Sequence, residues 1–208
     1  MMKKLRIIRN IVLVLILINF LVIAGYFVYI KKTDSTKKED TVLVVDKIDK
    51  FGYVLDNNQN DYYKTLFDEL KDVLNQEEID YSEYSKCISK LFISDLYTLS
   101  NKVSSSDVGG LEFVYSDFKK DFLSIAKTTL YNSVKSNLYG DRQQELPIVS
   151  NVNIDSVTNS AFKYGKVEFK DAYVVKASIE YEKDLGYPQN CELILVSNED
   201  VLQVVKLG

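Results

Sequence analysis

Two side chains in this sequence are of the right type and setting for acid–base work, Asp95 and Tyr84. Tyr81, Tyr84, Ile88, Leu91, Phe92, Leu99 and Val103 recur at helical spacing, and at about 100° per residue Asp95 falls between Leu91 and Leu99, inside that apolar stripe. A carboxylate placed there is paired, hydrogen-bonded or protonated, because an isolated buried charge is too costly. In an apolar pocket it would be a general base, with a tyrosine such as Tyr84 as hydrogen-bond donor. The structural alternative is an Asp bonded to a tyrosine hydroxyl or to backbone N–H groups, or one at the open rim of the helix. That is the reading we take forward, and the pocket is kept beside it.

Other catalytic vocabulary is missing. Histidine is absent, which removes Ser-His-Asp and Cys-His machinery, histidine zinc sites and an imidazole proton shuttle. The stretch DNNQND, Asp56 to Asp61, imitates the start of a calcium loop, but the glycine position of that template is Asp61 and the closing glutamate position is Phe67. It reads as a polar turn that donates the N-cap of the next helix. SSSDVGGLEFVYSDF, residues 104 to 118, contains Gly109-Gly110 without either phosphate-loop spacing and follows a helix, so it is expected to be a hinge between helices. Leu111, Phe113 and Val114 are too apolar for an exposed loop and should enter the core. Cys87 and Cys191 are two isolated cysteines, read as unpaired residues, with a disulfide as the alternative for an exported domain. No cofactor and no metal is implied.

The elements that must position these residues follow from periodicity. A strand or extended lead-in is expected at Thr41 to Asp46. A first helix runs from Asp61 to about Asn75, with Tyr62, Tyr63, Leu66, Phe67, Leu70, Val73 and Leu74 on one face. DYSE, Asp80 to Glu83, fits a capping box for a second helix reaching Lys102. A third helix is expected from Asp117 to Asn137, with Phe118, Phe122, Ile125, Ala126 and Leu130 on one side. From Ile148 the period becomes two. Strand character is expected around Val152 and Ile154, more weakly over Ala161 to Phe169, and clearly over Tyr173 to Tyr181. Cys191 to Val196 reads as a central strand, SNED (Ser197 to Asp200) as a hairpin turn, and Val201 to Leu207 as the return. The fold class is therefore α+β: three amphipathic helices packed on a four-stranded antiparallel sheet.

An N-terminal transmembrane helix precedes this domain. Ile11 to Ile30 is a run of 20 residues interrupted only by Asn19 and Gly25. At a rise of about 1.5 Å per residue it matches a bilayer's hydrocarbon core of roughly 30 Å. Cleavage after Ala24 is the rival reading, but the apolar run continues through Phe27, Val28 and Ile30. Four basic residues flank it on each side, so the positive-inside rule alone is tied. The short cationic tail is hard to translocate, which places it in the cytoplasm. The expected organisation is a cytoplasmic tail at 1–10, a span at 11–30, a tether at 31–40 and an extracytoplasmic domain at 41–208. Residues 1–40 hold eight of the 26 basic and three of the 30 acidic side chains, leaving the domain at a net charge of −9. An acidic domain repels phosphate backbones, so nucleic acid is set aside as a partner. The scarcity of arginine beside lysine, with abundant Asn, Ile and Tyr, points to an AT-rich genome and a low-GC bacterium.

Helices followed by an antiparallel meander over roughly residues 58 to 207 resemble the cone-shaped nuclear-transport-factor-2-like superfamily. With a single N-terminal span, the arrangement resembles the inner-membrane assembly factors of type IV secretion and conjugation systems. The resemblance rests on element order. It implies a curved sheet wrapped on its helices and a single-pass envelope module that docks partner proteins. An isomerase-like or small-molecule-binding domain with its pocket around Asp95 is the alternative.

Overall fold

The computed structural model describes residues 43–164 and 167–208, together with Ile23. Apart from Ile23, the expected tail, span and tether lie outside the described residues, and among those described no helix is long and apolar enough to cross a membrane.

The chain opens with a hairpin of β1 (Val44–Ile48) and β2 (Tyr53–Asp56), a two-stranded sheet of its own. The first strand starts and ends later than expected. Its partner is too short, at four residues, to announce itself by periodicity. Next comes α1 (Asp61–Leu74), capped by the Asn60 side chain, which accepts from the Tyr63 N–H at 2.8 Å. The polar turn read at 56–61 does supply this cap. Asp80 caps α2 (Tyr81–Tyr97) by accepting from the N–H groups of Ser82 and Glu83. Tyr63, Leu66, Phe67, Leu70 and Leu74 of α1 are buried, as are Tyr84, Ile88, Leu91 and Phe92 of α2, so both apolar faces enter one core.

Both later helices are shorter than expected. The second stops at Tyr97, because the N–H groups of Leu99 and Ser100 turn to the Pro147 carbonyl and the Thr98 hydroxyl accepts from the Val149 N–H. Tertiary bonds thus replace the helical ones that the N–H groups of Leu99 and Ser100 would have made. The third, α3 (Lys119–Thr128), follows two 3-10 turns at Leu111–Phe113 and Ser116–Phe118. At its end the hydroxyls of Thr128 and Thr129 donate back to the Ile125 carbonyl, and Tyr131 is drawn under the domain to donate from its hydroxyl to the Leu96 carbonyl at 2.7 Å. Residues 130–148 pass on to the sheet without forming another helix.

The sheet is a four-stranded antiparallel meander of β3 (Val149–Tyr164), β4 (Val167–Tyr181), β5 (Asn190–Asn198) and β6 (Val201–Leu207), in that spatial order. The stretch Ala161 to Phe169 is not a strand of its own. It is the far end of the long β3–β4 hairpin, with Phe162 opposite Phe169 and Tyr164 opposite Val167. The turn between β5 and β6 places Glu199 and Asp200 at φ 51° and 69°, the left-handed pair that a two-residue hairpin of matching twist requires. Val149, Val152, Val175, Ala177, Ile179, Leu193 and Leu195 bring alternate positions of the sheet onto the core with α2.

Candidate functional site

Asp95 sits one turn from the end of α2, where the chain leaves the helix and folds back over it. The return brings Lys102 against the carboxylate, with Nζ 2.5 Å from Oδ1. Gln59, from the turn before α1, donates to the same oxygen at 3.0 Å. On the far side the N–H of Gly110 donates to Oδ2 at 2.6 Å. Asp95 and Lys102 are both buried, at 8% and 4% exposure. Burial, the largest influence, pushes the carboxyl up, but the Lys102 charge and the three donors outweigh it and hold it below the usual carboxylate range. Asp95 is therefore an anion with a donor on each carboxylate oxygen.

The glycine pair does more than turn a corner. A Cβ on Gly109 would lie 2.1 Å from the Asp95 carbonyl oxygen, so only glycine lets the loop rest on the end of α2. Gly110 takes φ +75°, and a Cβ there would meet the Phe92 ring at 2.9 Å. The Gly109 N–H donates to the Tyr131 hydroxyl at 3.0 Å, whose own proton goes to the Leu96 carbonyl. Arg142, the only arginine after residue 9, holds the loop from outside by donating to the carbonyls of Ser100 at 2.6 Å and Lys102 at 2.8 Å.

A polar cavity of about 230 Å³ lies over this junction, lined among others by Asp56, Gln59, Asp95, Lys102, Gly110 and Glu112. Glu112 was not singled out from the sequence. The available signal was a lone acid inside the apolar run Leu111–Val114. It accepts from the Tyr63 hydroxyl at 3.2 Å and more loosely from the Val54 N–H at 3.4 Å. Burial foremost, then the charge of Asp95, raises its carboxyl to about 7 against the pull of those two donors. Asp56 is also raised, by burial and by Asp95, with Lys102 opposing. Among the described residues no group of three His, Cys, Asp or Glu is arranged to hold a metal ion.

Tyr84 does not join Asp95. The two stand 11 positions apart on α2, roughly 16 Å along its axis at about 1.5 Å per residue. The Tyr84 hydroxyl is buried 2.6 Å from the Tyr53 hydroxyl, accepts from the Leu202 N–H at 3.3 Å, and is pushed up to about 12 by burial. It links β2, α2 and β6. A base–donor pair built from Asp95 and Tyr84 is not assembled. Cys87 and Cys191 are buried free thiols, both raised to about 11 by burial.

A second and larger concavity is of opposite character. It has a volume of about 530 Å³ and lies between α3 and the β6 end of the sheet, lined by Leu96, Tyr97, Phe118, Phe122, Ile125 and Val204–Leu207 among others. The apolar stripe of the third helix faces this groove and is not sealed in a core. Ala126 is buried, Phe118, Phe122 and Leu130 are half-buried, and Ile125 is 62% exposed. Tyr164 contributes from the end of β3, its ring tilted against Phe118 with centroids 4.7 Å apart. Its polar side chains include Asp121, Thr129 and Lys206, and the Thr129 hydroxyl donates to the Ile125 carbonyl.

Set against protein-family profiles, curated proteins and solved structures, the chain matches none of them.

Proposed function

We propose that the protein is a single-pass, membrane-anchored extracytoplasmic interaction module of a bacterial envelope, and that it docks other envelope proteins through the apolar groove between α3 and β6. The observation that carries the reading is this groove, an open hydrocarbon-lined concavity of about 530 Å³ beside a helix that leaves Ile125 exposed. Such a surface gains by covering apolar area. The polar cavity supports the same reading by contrast. Its central anion is neutralised by Lys102 and capped by Gly110 and Gln59, so Asp95 is committed to holding the end of α2. Support for the anchor is the run Ile11–Ile30, its length, and Tyr26 and Tyr29 near its end, where amphipathic rings suit an interface. Helices followed by a meander support the likeness to the cone-shaped superfamily and, with the anchor, to secretion-type assembly factors.

A photo-crosslinking amino acid at Ile125 of the full-length protein in intact cells tests the docking surface, with one at Glu78, in the exposed turn after α1, as control. The reading requires protein adducts mapped to the Ile125 position, absent from Glu78 and lost on Phe122→Asp. Equal labelling from both positions, or none, contradicts it. A C-terminal reporter active only in the cytoplasm would overturn the orientation.

The second reading, a small-molecule site at the Asp95 cavity, is favoured by the raised carboxyl of Glu112. It requires ligand-dependent protection of Glu112 from carbodiimide labelling.

A further inference from the structure

Among the described residues, the chain also carries an apolar edge that no other element covers. β1 is the outer strand of the two-stranded sheet, and Leu43, Val44 and Val45 are 59%, 60% and 60% exposed. Three consecutive apolar residues expose both faces of a strand whose outer edge pairs with no strand among the described residues, an arrangement that folded proteins normally blunt. The groove has a matching edge. β6 is outermost in its sheet, and its first half is closed. The Leu202 N–H donates to the Tyr84 hydroxyl at 3.3 Å, the Tyr53 hydroxyl donates to the Leu202 carbonyl at 3.2 Å, and the Tyr115 N–H donates to the Val204 carbonyl at 2.9 Å. Val114 lies beside Val204 as a parallel bridge, so this edge already accepts a neighbouring strand at one point. Beyond it the edge opens. Gly208 and Glu192 exchange bonds of 2.8 and 2.9 Å, so by the antiparallel alternation Leu207, one residue earlier, turns its N–H and C=O outward.

We infer that β1 of one copy docks along the free end of β6 in another, laying its exposed apolar start against the groove between α3 and the sheet. The inference rests on the groove being a docking surface and names its occupant. Hydrocarbon, as from a lipid, would cover the apolar wall but leave the outward N–H and C=O of Leu207 unmet, whereas a strand satisfies them. Charge does not oppose it: α3 brings Lys119, Lys120 and Lys127 against one Asp121, and Lys206 lines the groove, while β1 and its turn balance Asp46 and Asp49 with Lys47 and Lys50. Donor edge and acceptor groove are different surfaces, so the contact is head-to-tail and propagates along a row of copies. Three side chains and a few backbone bonds make a weak contact by themselves, and confinement to one membrane supplies the effective concentration.

The test uses full-length Val45→Cys and Ile125→Cys, expressed separately and together, with a short bis-maleimide applied to intact cells. Both positions are exposed, and the native thiols are buried, so the fold and the background are unaffected. The inference predicts a product of twice the chain's mass, enriched on the order of tenfold when both variants share a membrane over either alone. It also predicts loss of that product when Val44→Asp is added to the Val45→Cys chain. A product from Ile125→Cys alone overturns it in favour of a symmetric contact. No doubled product overturns it as well. In that case photo-adducts from Ile125 to a different protein keep the docking reading, and absence of any adduct removes both.

Discussion

Removal of Lys102 should unfold a large part of this domain's stability margin, and removal of its partner's charge as well should restore most of it. In Lys102→Met the Asp95 carboxylate remains 8% exposed, with Asp56 and Glu112 lining the same cavity and only Gln59 and Gly110 as donors. Stranding one member of a buried ion pair costs about 3–5 kcal/mol. Against a typical domain stability of about 5–15 kcal/mol, that is a third or more. Asp95→Asn added to Lys102→Met leaves no buried charge. The new amide's oxygen can still accept from the Gly110 N–H, and its NH2 can turn to Gln59. The double variant should therefore lie within about 1–2 kcal/mol of the parent, since an ion pair and a satisfied neutral replacement are often close in energy. With a urea slope of about 2 kcal/mol/M, the single variant should lose about 1.5–2.5 M in midpoint and the double less than about 1 M. The full-length protein in nanodiscs, melted in urea and followed by tyrosine fluorescence, reads this directly because tryptophan is absent. A single variant within about 1 kcal/mol of the parent, or a double variant worse than the single, would refute the structural role of the pair.

Stability should also depend on pH through Glu112. Its folded carboxyl sits at about 7 against an ordinary 4.5, so its contribution is fully present below about pH 4.5 and is lost as pH rises through about 7, a change on the order of 3 kcal/mol. Asp56, also raised, acts in the same direction, whereas Asp95, held low, matters only in stronger acid. Urea midpoints of Glu112→Gln should be flatter across pH 5–8 than those of the parent, and an unchanged slope would argue against the assignment. Gly109→Ala places a Cβ 2.1 Å from a backbone oxygen, so it should destabilise by more than about 3 kcal/mol, whereas Gly140→Ala, with open space around it and only its φ of +71° as strain, should cost about 1 kcal/mol on the same melts. Arg142→Lys should cost about 1–3 kcal/mol, because an ammonium cannot span the carbonyls of Ser100, Lys102 and Lys135 as the guanidinium does, and a neutral result would remove that role. Cys87 and Cys191 should resist Ellman's reagent until urea unfolds the chain, and fast labelling of either in the native state would contradict their burial.

Much of the architecture was legible because local chemistry and tertiary packing agree there. Asn60 and Asp80 cap where polar residues precede an apolar period, and the alternation over Tyr173–Tyr181 puts Val175, Ala177 and Ile179 inside. Asp95 was legible as a misfit on its stripe. Its partners were not, because Lys102 reaches it only after α2 ends early, and that ending depends on the Pro147 carbonyl, some fifty residues on. Gly109-Gly110 and Asp95 were visible as separate features. That they form one contact depends on a close approach that no spacing encodes. The third helix shows the opposite failure: its stripe was read correctly as apolar, but periodicity cannot say whether such a face meets a core or an open groove.

The most direct test of the account combines both sites in one measurement: photo-crosslinking from Ile125 in the full-length Asp95→Asn/Lys102→Met protein, in intact cells. If the groove docks protein and the ion pair only holds the end of α2, the adducts persist in pattern and yield while the charged centre is gone. If the adducts vanish from a double variant whose urea midpoint shows it to be folded, the Asp95 cavity is part of the working surface and the division of roles drawn here is wrong.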